Sequence, residues 1–343
     1  MNILYLSKNM SGYAGAFYQK DIMDELSRQH TVTFYGPGFS GYHEEYSLSD
    51  VLNTLEETPD LIAVGHAWLS DTPHQKNVNT HPLIQLARTN IPKILFLNKE
   101  YVNLRQKLRY AREQKFNLIF SHHHDTVKYQ ETTGIPTHFL PFAVNMQTFI
   151  YNPTTPKDID FFFSGILQNP QAYKVHNDIR KKVQRLLFHS IGQIYLIKRP
   201  PFRRLNVRWQ TQASHFSERV VNRIIRGPEK MPDTQYIQTL NRSKLCLNSP
   251  SPLNLIGTRY FEAMVMRSLV LCSESEFYDG LFTPGEHCVT FKEDLSDFVD
   301  KLFYYTSHAD ERKEIIERAY IHARDNHTWE HRIRLVTDLV AAL

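Results

Sequence analysis

GTRYFEAMVMRSLVLC, residues 257–272, reads as a turn, a short helix and a buried strand in succession. Gly257 permits a tight turn and leaves backbone N–H groups free. Thr258 can cap the helix that follows. Arg259 carries a planar fork suited to phosphate oxygens. Glu262 stands roughly one helical turn further on, and an ionised carboxylate accepts hydrogen bonds from a pair of sugar hydroxyls. Ser268 to Cys272 is then an apolar run of strand length. A helix N-terminus gathers anions through its unpaired N–H groups and partial positive charge. Phosphate and hydroxyl binding side by side point to a nucleotide. A capped, buried helix with an internal ion pair uses the same residues, so the stretch alone leaves both readings open.

The same succession extends outward from this stretch. Asn2–Leu6, Thr31–Tyr35, Asp60–Val64, Lys93–Leu97, Leu118–Phe120 and Thr137–Leu140 are short apolar runs separated by helical segments such as 16–29. Several end at residues able to do chemistry: a loop with Gly12 and Gly15, then His66, then Lys99 and Glu100, then His122, His123 and His124. The polar, proline-rich stretch 151–156 reads as a linker. The pattern restarts at Ile159–Phe163, ended by Ser164 and Gly165. It continues through a long basic helix, Gln193–Ile197, Leu245–Asn248, Leu269–Cys272 and Cys288–Phe291. Helices over 295–305, 309–326 and 329–343 close the chain. Strands alternating with helices imply parallel, helix-flanked sheets. The expected fold class is therefore α/β, with two Rossmann-like doubly wound domains facing a cleft and ligands beyond the carboxyl ends of the strands. The expected limits are 1–150 for an acceptor-side domain and 157–328 for a donor domain, with a final helix, 329–343, packing back toward the first domain.

Length supports two domains, since 343 residues exceed one ordinary core. No apolar run is long enough to span a bilayer. MNILYLSKN starts directly with a strand and lacks the features of a secretory leader. The three cysteines, Cys246, Cys272 and Cys288, have no CxxC spacing, which argues against a disulfide framework or a zinc site. A cytoplasmic location is the expectation. Net charge is +4 but uneven. Residues 180–230 hold 13 Lys or Arg against Glu218 and Glu229, so that segment carries +11 and the remainder −7. Such a block either holds anionic lipid headgroups, nucleic acid or a phosphorylated acceptor, or is a set of solvated helix faces.

From about Asp233 to Arg332 the order of motifs is a tyrosine-led helix (YIQTLNRSKLCLN), then Arg-Tyr-Phe-Glu-Ala, then a Gly-Glu-His-Cys segment, an acidic loop and the helix HTWEHRIRLV. This order resembles the group-1 glycosyltransferases of GT-B architecture, especially the branch similar to spore-maturation CgeB-type proteins. Gly12–Gly15, the passage from Asp60 to His66, and LPFAVN at 140–145 also fall where that family has counterparts. The resemblance implies a metal-independent enzyme that moves a sugar from a nucleoside-diphosphate donor, a UDP- or GDP-sugar, to a hydroxyl. It implies no cofactor beyond that co-substrate. By the same resemblance Glu262 meets the donor ribose, and Arg259 meets the diphosphate. Gly165 follows the first donor-domain strand, Gly15 and Gly12 belong to a loop facing the donor phosphates, and His66 lies near the reacting sugar. Gly257, Thr258 and Asn254 complete the donor-binding set.

Two departures from the family pattern stand out. Many retaining relatives have a second glutamate eight residues before the one matched by Glu262, and here that position is Asn254. A partner for Arg259 on the diphosphate is not evident; Arg180, Lys198 and Arg199 are the candidates. An inverting enzyme would need a general base, for which His66 and Glu100 are placed at strand ends. Lys99 and Glu100 read equally as an internal salt bridge. Asp158-Ile-Asp160 has metal-site spacing but precedes its strand, and consecutive histidines at 122–124 point to alternate faces, so no metal site is expected. Tyr13, Phe17 and Trp68 are weak candidates for stacking on a sugar or base. The acceptor is left open among glycan, lipid-linked intermediate, protein and nucleic acid, the last served by the basic 180–230 surface, where peripheral membrane contact is the other reading. A sugar-nucleotide 2-epimerase and a catalytically degenerate binding protein share the architecture.

Overall fold

The computed structural model describes residues 1–13, 15–167, 178–188, 205–212 and 231–343. It divides into two compact units, Met1–Phe142 with Trp329–Leu343, and Ala143–Thr328.

In the first unit, β1 (Asn2–Leu6), β2 (Thr31–Tyr35), β3 (Leu61–Val64), β4 (Lys93–Phe96), β5 (Leu118–Ser121) and β6 (Thr137–Phe139) form one parallel sheet in the order β2-β1-β3-β4-β5-β6. β3, β4 and β5 are buried at every position, which is why they read as unbroken apolar runs. Helices α1 (Phe17–Gln29), α2 (Leu48–Asn53), α3 (Leu104–Glu113) and α4 (Thr126–Thr133) are the crossovers. The strand order reverses at β1, so the loops after β1 and β3 border the switch point where such sheets bind ligands. Gly15 lies in the first loop and His66 in the second.

In the second unit, β7 (Ile159–Ile166), β8 (Val207–Gln212), β9 (Ser243–Asn248), β10 (Leu269–Ser273) and β11 (Val289–Phe291) are parallel in the order β11-β10-β9-β7-β8. Its switch point is therefore between β7 and β9. The loop after β7 begins with Leu167, and the loop after β9 runs from Ser249 to Gly257. Helices α5 (Asp178–Phe188), α6 (Asp233–Asn241), α7 (Thr258–Val265), α8 (Phe298–Ser307) and α9 (Ala309–Asn326) surround the sheet. The last helix, α10 (Trp329–Ala341), belongs to the first unit, where it packs on α1. Trp329 is fully buried, Arg332 Nε donates to the Pro141 carbonyl at 2.9 Å, and His30 Nε2 meets Thr337 Oγ1 at 2.9 Å.

The described strands fall where the apolar runs place them, with ends shifted by at most three residues. Two readings change. β8, VRWQTQ, is a strand that hydrophobicity alone did not mark. Its alternation of Val and Trp with Arg and Gln is the pattern of an edge strand, and among the described strands of this sheet it is at the edge. The helix expected from 295 starts instead at Phe298, because Leu295 has φ 63° and breaks the helical path. The Gln193–Ile197 strand, Lys198, Arg199 and most of the 180–230 block lie outside the described residues.

Candidate active site

The donor-side candidates gather at the switch point of the second unit. Helix α7 begins at Thr258, with Gly257 as its N-cap in extended backbone at φ −85° and ψ 171°. This corrects two expectations. Thr258 is the first helical residue and not the cap, and its hydroxyl turns back one turn onto Glu262. Nor does Gly257 need to be glycine on backbone grounds, since its φ is ordinary and a Cβ there would meet nothing within 4 Å. The N–H groups of the first turn have no side-chain cap, which leaves them available to an anion.

Arg259 reaches from α7 across to β7. Its Nη1 donates to the Ser164 carbonyl, and its guanidinium lies 5.8 Å from the centre of the Phe163 ring. The guanidinium passes directly over Gly165, where a Cβ would stand 2.0 Å from Nη1. Gly165 is therefore glycine because the arginine occupies the space of a side chain. Arg180, from α5, approaches the same Phe163 ring at 5.7 Å. It is fully buried and holds the loop after β9, with Nε donating to Ser249 Oγ at 2.7 Å and Nη2 to the Ser249 carbonyl at 3.1 Å. Arg180 thus joins Arg259 at one aromatic ring, and its hydrogen bonds are to the protein.

Glu262 is buried, and burial raises its carboxyl above the ordinary range. Tyr236 of α6 donates to Oε2 at 2.6 Å. Asn254 closes a short turn, Pro252–Asn254, in which Leu253 and Asn254 have φ 60° and 56°. Two successive left-handed residues other than glycine are strained, and such backbone concentrates at functional sites. Asn tolerates this geometry better than most residues, a reason for Asn at 254 that needs no catalytic role.

In the first unit the structure brings His66 and His122 together and commits Glu100 elsewhere. His66 Nε2 is 3.1 Å from His122 Nε2, and the rings stack at 5.1 Å. His122 Nδ1 meets the Leu140 carbonyl at 2.7 Å. Burial drives both histidines down, His66 well below its ordinary range and His122 to about 4. Glu100 is fully buried; Ser121 Oγ donates to Oε2 at 2.8 Å and the His122 N–H to Oε1 at 2.7 Å. Its raised pKa follows from burial. The geometry makes Glu100 a brace for the 121–122 backbone, where the sequence had offered it as a base or as the partner of Lys99. Lys99 instead pairs with Asp71 at 3.4 Å, beside buried Lys107 at 2.7 Å.

The remaining candidates scatter. Gly12 and Gly15 are exposed, and Gly15 takes φ 68°. Trp68 is core, stacked on His81 at 3.9 Å. Tyr13 is half-exposed beneath Lys8. Asp158 pairs with Arg242, and Asp160 with Lys244. Sequence reasoning missed the parts played by Phe163, Ser164 and Ser249, for which no local signal exists. The tyrosine that leads α6 was a visible signal for Tyr236.

Acid is expected to weaken the first unit through the histidine pair. A histidine whose folded pKa is depressed contributes stability that is present above its unfolded value, 6.5, and lost as pH falls through the folded value. For His122 that window runs from 6.5 down to about 4. Glu100 and Glu262 are raised, so their terms slope the other way. The stability difference between wild type and His122→Gln isolates the histidine term. Urea unfolding should show that difference growing as pH rises from about 4 to 6.5; a difference independent of pH contradicts the assignment.

Residues 175–338 match the family described as glycosyl transferase-like. No curated protein sequence matches the chain. Among solved structures, sucrose-phosphate synthase from Thermosynechococcus elongatus aligns over 100% of both chains with TM-score 0.64 and 13% identity. An alpha-glucosyltransferase in complex with UDP-glucose and DNA containing an abasic site aligns over 99% of both chains at 0.66 and 12%. Anabaena HepE in complex with UDP and glucose covers 100% of both chains at 0.61 and 11%. The fold is GT-B. The family match spans most of the second unit and runs into α10, and the likeness to these solved structures is one of fold.

Proposed function

We propose that the chain transfers a sugar from a nucleoside-diphosphate donor, a UDP- or GDP-sugar, to a hydroxyl acceptor without a catalytic metal. The observation that carries this reading is the arginine laid over Gly165 at the switch point, beside the uncapped first turn of α7. As the glycosidic bond breaks, negative charge builds on the leaving phosphate. Arg259 and the first-turn N–H groups are preorganised donors for that charge, and donors of this kind supply about 3 kcal/mol each. Glu262 is the acceptor for the ribose hydroxyls, exchanging its bond from Tyr236 or Thr258 for them. In the first unit Gly12, Gly15 and His66 are assigned to the donor phosphates and the reacting sugar.

HepE and the alpha-glucosyltransferase were solved with UDP or UDP-glucose, which favours UDP as the donor base. The DNA in the alpha-glucosyltransferase complex supports a nucleic-acid acceptor as the second reading. The +11 segment at 180–230 would serve such an acceptor through its phosphates.

Incubation with UDP-glucose or GDP-mannose, with and without EDTA and with a panel of acceptors, tests the proposal. The expected result is acceptor-dependent release of the nucleoside diphosphate, unchanged by EDTA. Release of an isomerised free sugar without acceptor identifies a 2-epimerase instead, and loss of turnover in EDTA overturns metal independence.

A further inference from the structure

A cavity of about 840 Å3 lies in the second unit, between α6 and the start of β7 and β8. Ile159 and Val207, the first residues of those two strands, both line it. Gly165, beneath Arg259, stands six residues beyond Ile159 on β7, about 20 Å away at the rise of a strand. The cavity is therefore at the other end of the sheet from the donor-side residues. Its volume falls within the range of small-molecule sites, roughly 300–1,000 Å3.

Successive side chains of a strand point to opposite faces, so a cavity lined by both Arg208 and Trp209 wraps round the edge of β8. On the facing wall, Gln235 and Gln238 stand three residues apart on α6 and share one face of it. Tyr236 and Leu240 are the buried residues on its other side. Free hydrogen-bonding groups are gathered here. Trp209 Nε1 is buried and has no acceptor. Arg208, Gln235 and Gln238 are exposed, and their side chains make no hydrogen bond or ion pair among the described residues. Asp158, whose field reaches Arg208, is already held by Arg242 at 2.8 Å. No Asp or Glu lines the cavity among the described residues. A buried donor without an acceptor is costly, and a ligand oxygen relieves that cost.

These groups define a ligand. Trp209 and the exposed ring of Phe188, with centres 6.0 Å apart, form an aromatic wall with one polar N–H. Such a wall takes the apolar face of a ring. A carboxamide both donates and accepts, which suits hydroxyls. A guanidinium with no carboxylate bound to it suits the paired oxygens of a phosphate or carboxylate. An apolar ring face, hydroxyls and an anion together describe a charged sugar. We propose that this cavity is a second saccharide site, taking an anionic sugar with its ring against Trp209 and Phe188, its hydroxyls on Gln235 and Gln238, and its phosphate or carboxylate on Arg208. Arg208 belongs to the basic 180–230 block, and this site gives it a use. The site does not rest on the donor chemistry proposed above. Its occupant is either a charged unit within a glycan chain or a free phosphorylated sugar.

Isothermal titration of the full chain with glucose 6-phosphate, a tetrasaccharide of alternating glucuronic acid and N-acetylglucosamine, glucose and inorganic phosphate tests the site. The expected result is saturable binding of the sugar phosphate or the tetrasaccharide, with glucose and inorganic phosphate both weaker. Arg208→Ala should weaken that binding about 10-fold or more, the loss of one hydrogen bond to a charged group. Gln238→Ala, on a different element, should weaken it as well. Arg259→Ala should leave it unchanged, and Arg208→Ala should keep any thermal shift given by a nucleoside diphosphate. Binding of the tetrasaccharide alone supports the site and identifies a glycan chain as the occupant; binding of the sugar phosphate alone supports it and identifies a free metabolite. The proposal is overturned by no saturable binding of either, by glucose binding as tightly as its phosphate, or by binding that survives Arg208→Ala or is lost in Arg259→Ala.

Discussion

Arg259→Ala is expected to lower kcat by about 10²–10³-fold, the loss that follows removal of one preorganised donor to a developing anion. Stability should change little. The side chain is only part-buried, and what it loses inside the protein is one bond to the Ser164 carbonyl and its approach to the Phe163 ring. Steady-state kinetics with a nucleotide-sugar donor, beside a thermal melt, separate the two effects. Gly165→Ala is the more searching variant. The new methyl would stand 2.0 Å from Arg259 Nη1, the far end of a flexible side chain, so the arginine moves and the fold survives. It should reproduce most of the Arg259→Ala defect with the arginine still present. Full activity in Gly165→Ala would mean that the position of the guanidinium seen here is not the one that acts.

The largest stability effect is expected at Glu100. Replacing it by alanine removes both bonds, leaving the His122 N–H a buried donor without its acceptor and Ser121 Oγ with only the His123 carbonyl, at 3.1 Å. Hydrogen bonds to charged groups contribute about 1.5–3 kcal/mol each, so Glu100→Ala should destabilise the first unit by about 3–5 kcal/mol. Activity should fall with the displaced His122. A general base behaves differently: its removal leaves the melt unchanged and abolishes the acidic limb of the pH–rate profile. Urea unfolding and a pH–rate profile of the same variant therefore decide between brace and base. A wild-type melt with lost activity contradicts the brace.

Much of the fold was readable because it is built of parallel strands buried on both faces, which leave unbroken apolar runs such as Leu118–Phe120. The strand β8 was not, since four of its six residues are polar. The donor-side residues were legible where chemistry is local: Arg259 and Glu262 share one helix, and Gly165 ends a strand. What was hidden is non-local. Nothing near Phe163 in the sequence announces that Arg180 and Arg259, 79 positions apart by numbering, approach the same ring. Glu100 could be read as catalytic because its position after β4 was visible, while its partners 21 and 22 residues on were not. The same reason hid the pairing of His66 with His122, 56 residues apart.

The central claim is that α7 and the carboxyl end of β7 hold a nucleoside diphosphate. Thermal shift with UDP, GDP, ADP, CMP and dTDP, each with and without EDTA, tests it most directly. A ligand at 100 times its Kd adds about 2.7 kcal/mol. The account predicts a shift with one nucleoside diphosphate that is insensitive to EDTA and lost in both Arg259→Ala and Glu262→Ala. A shift that survives both substitutions, or none with any nucleotide, contradicts it.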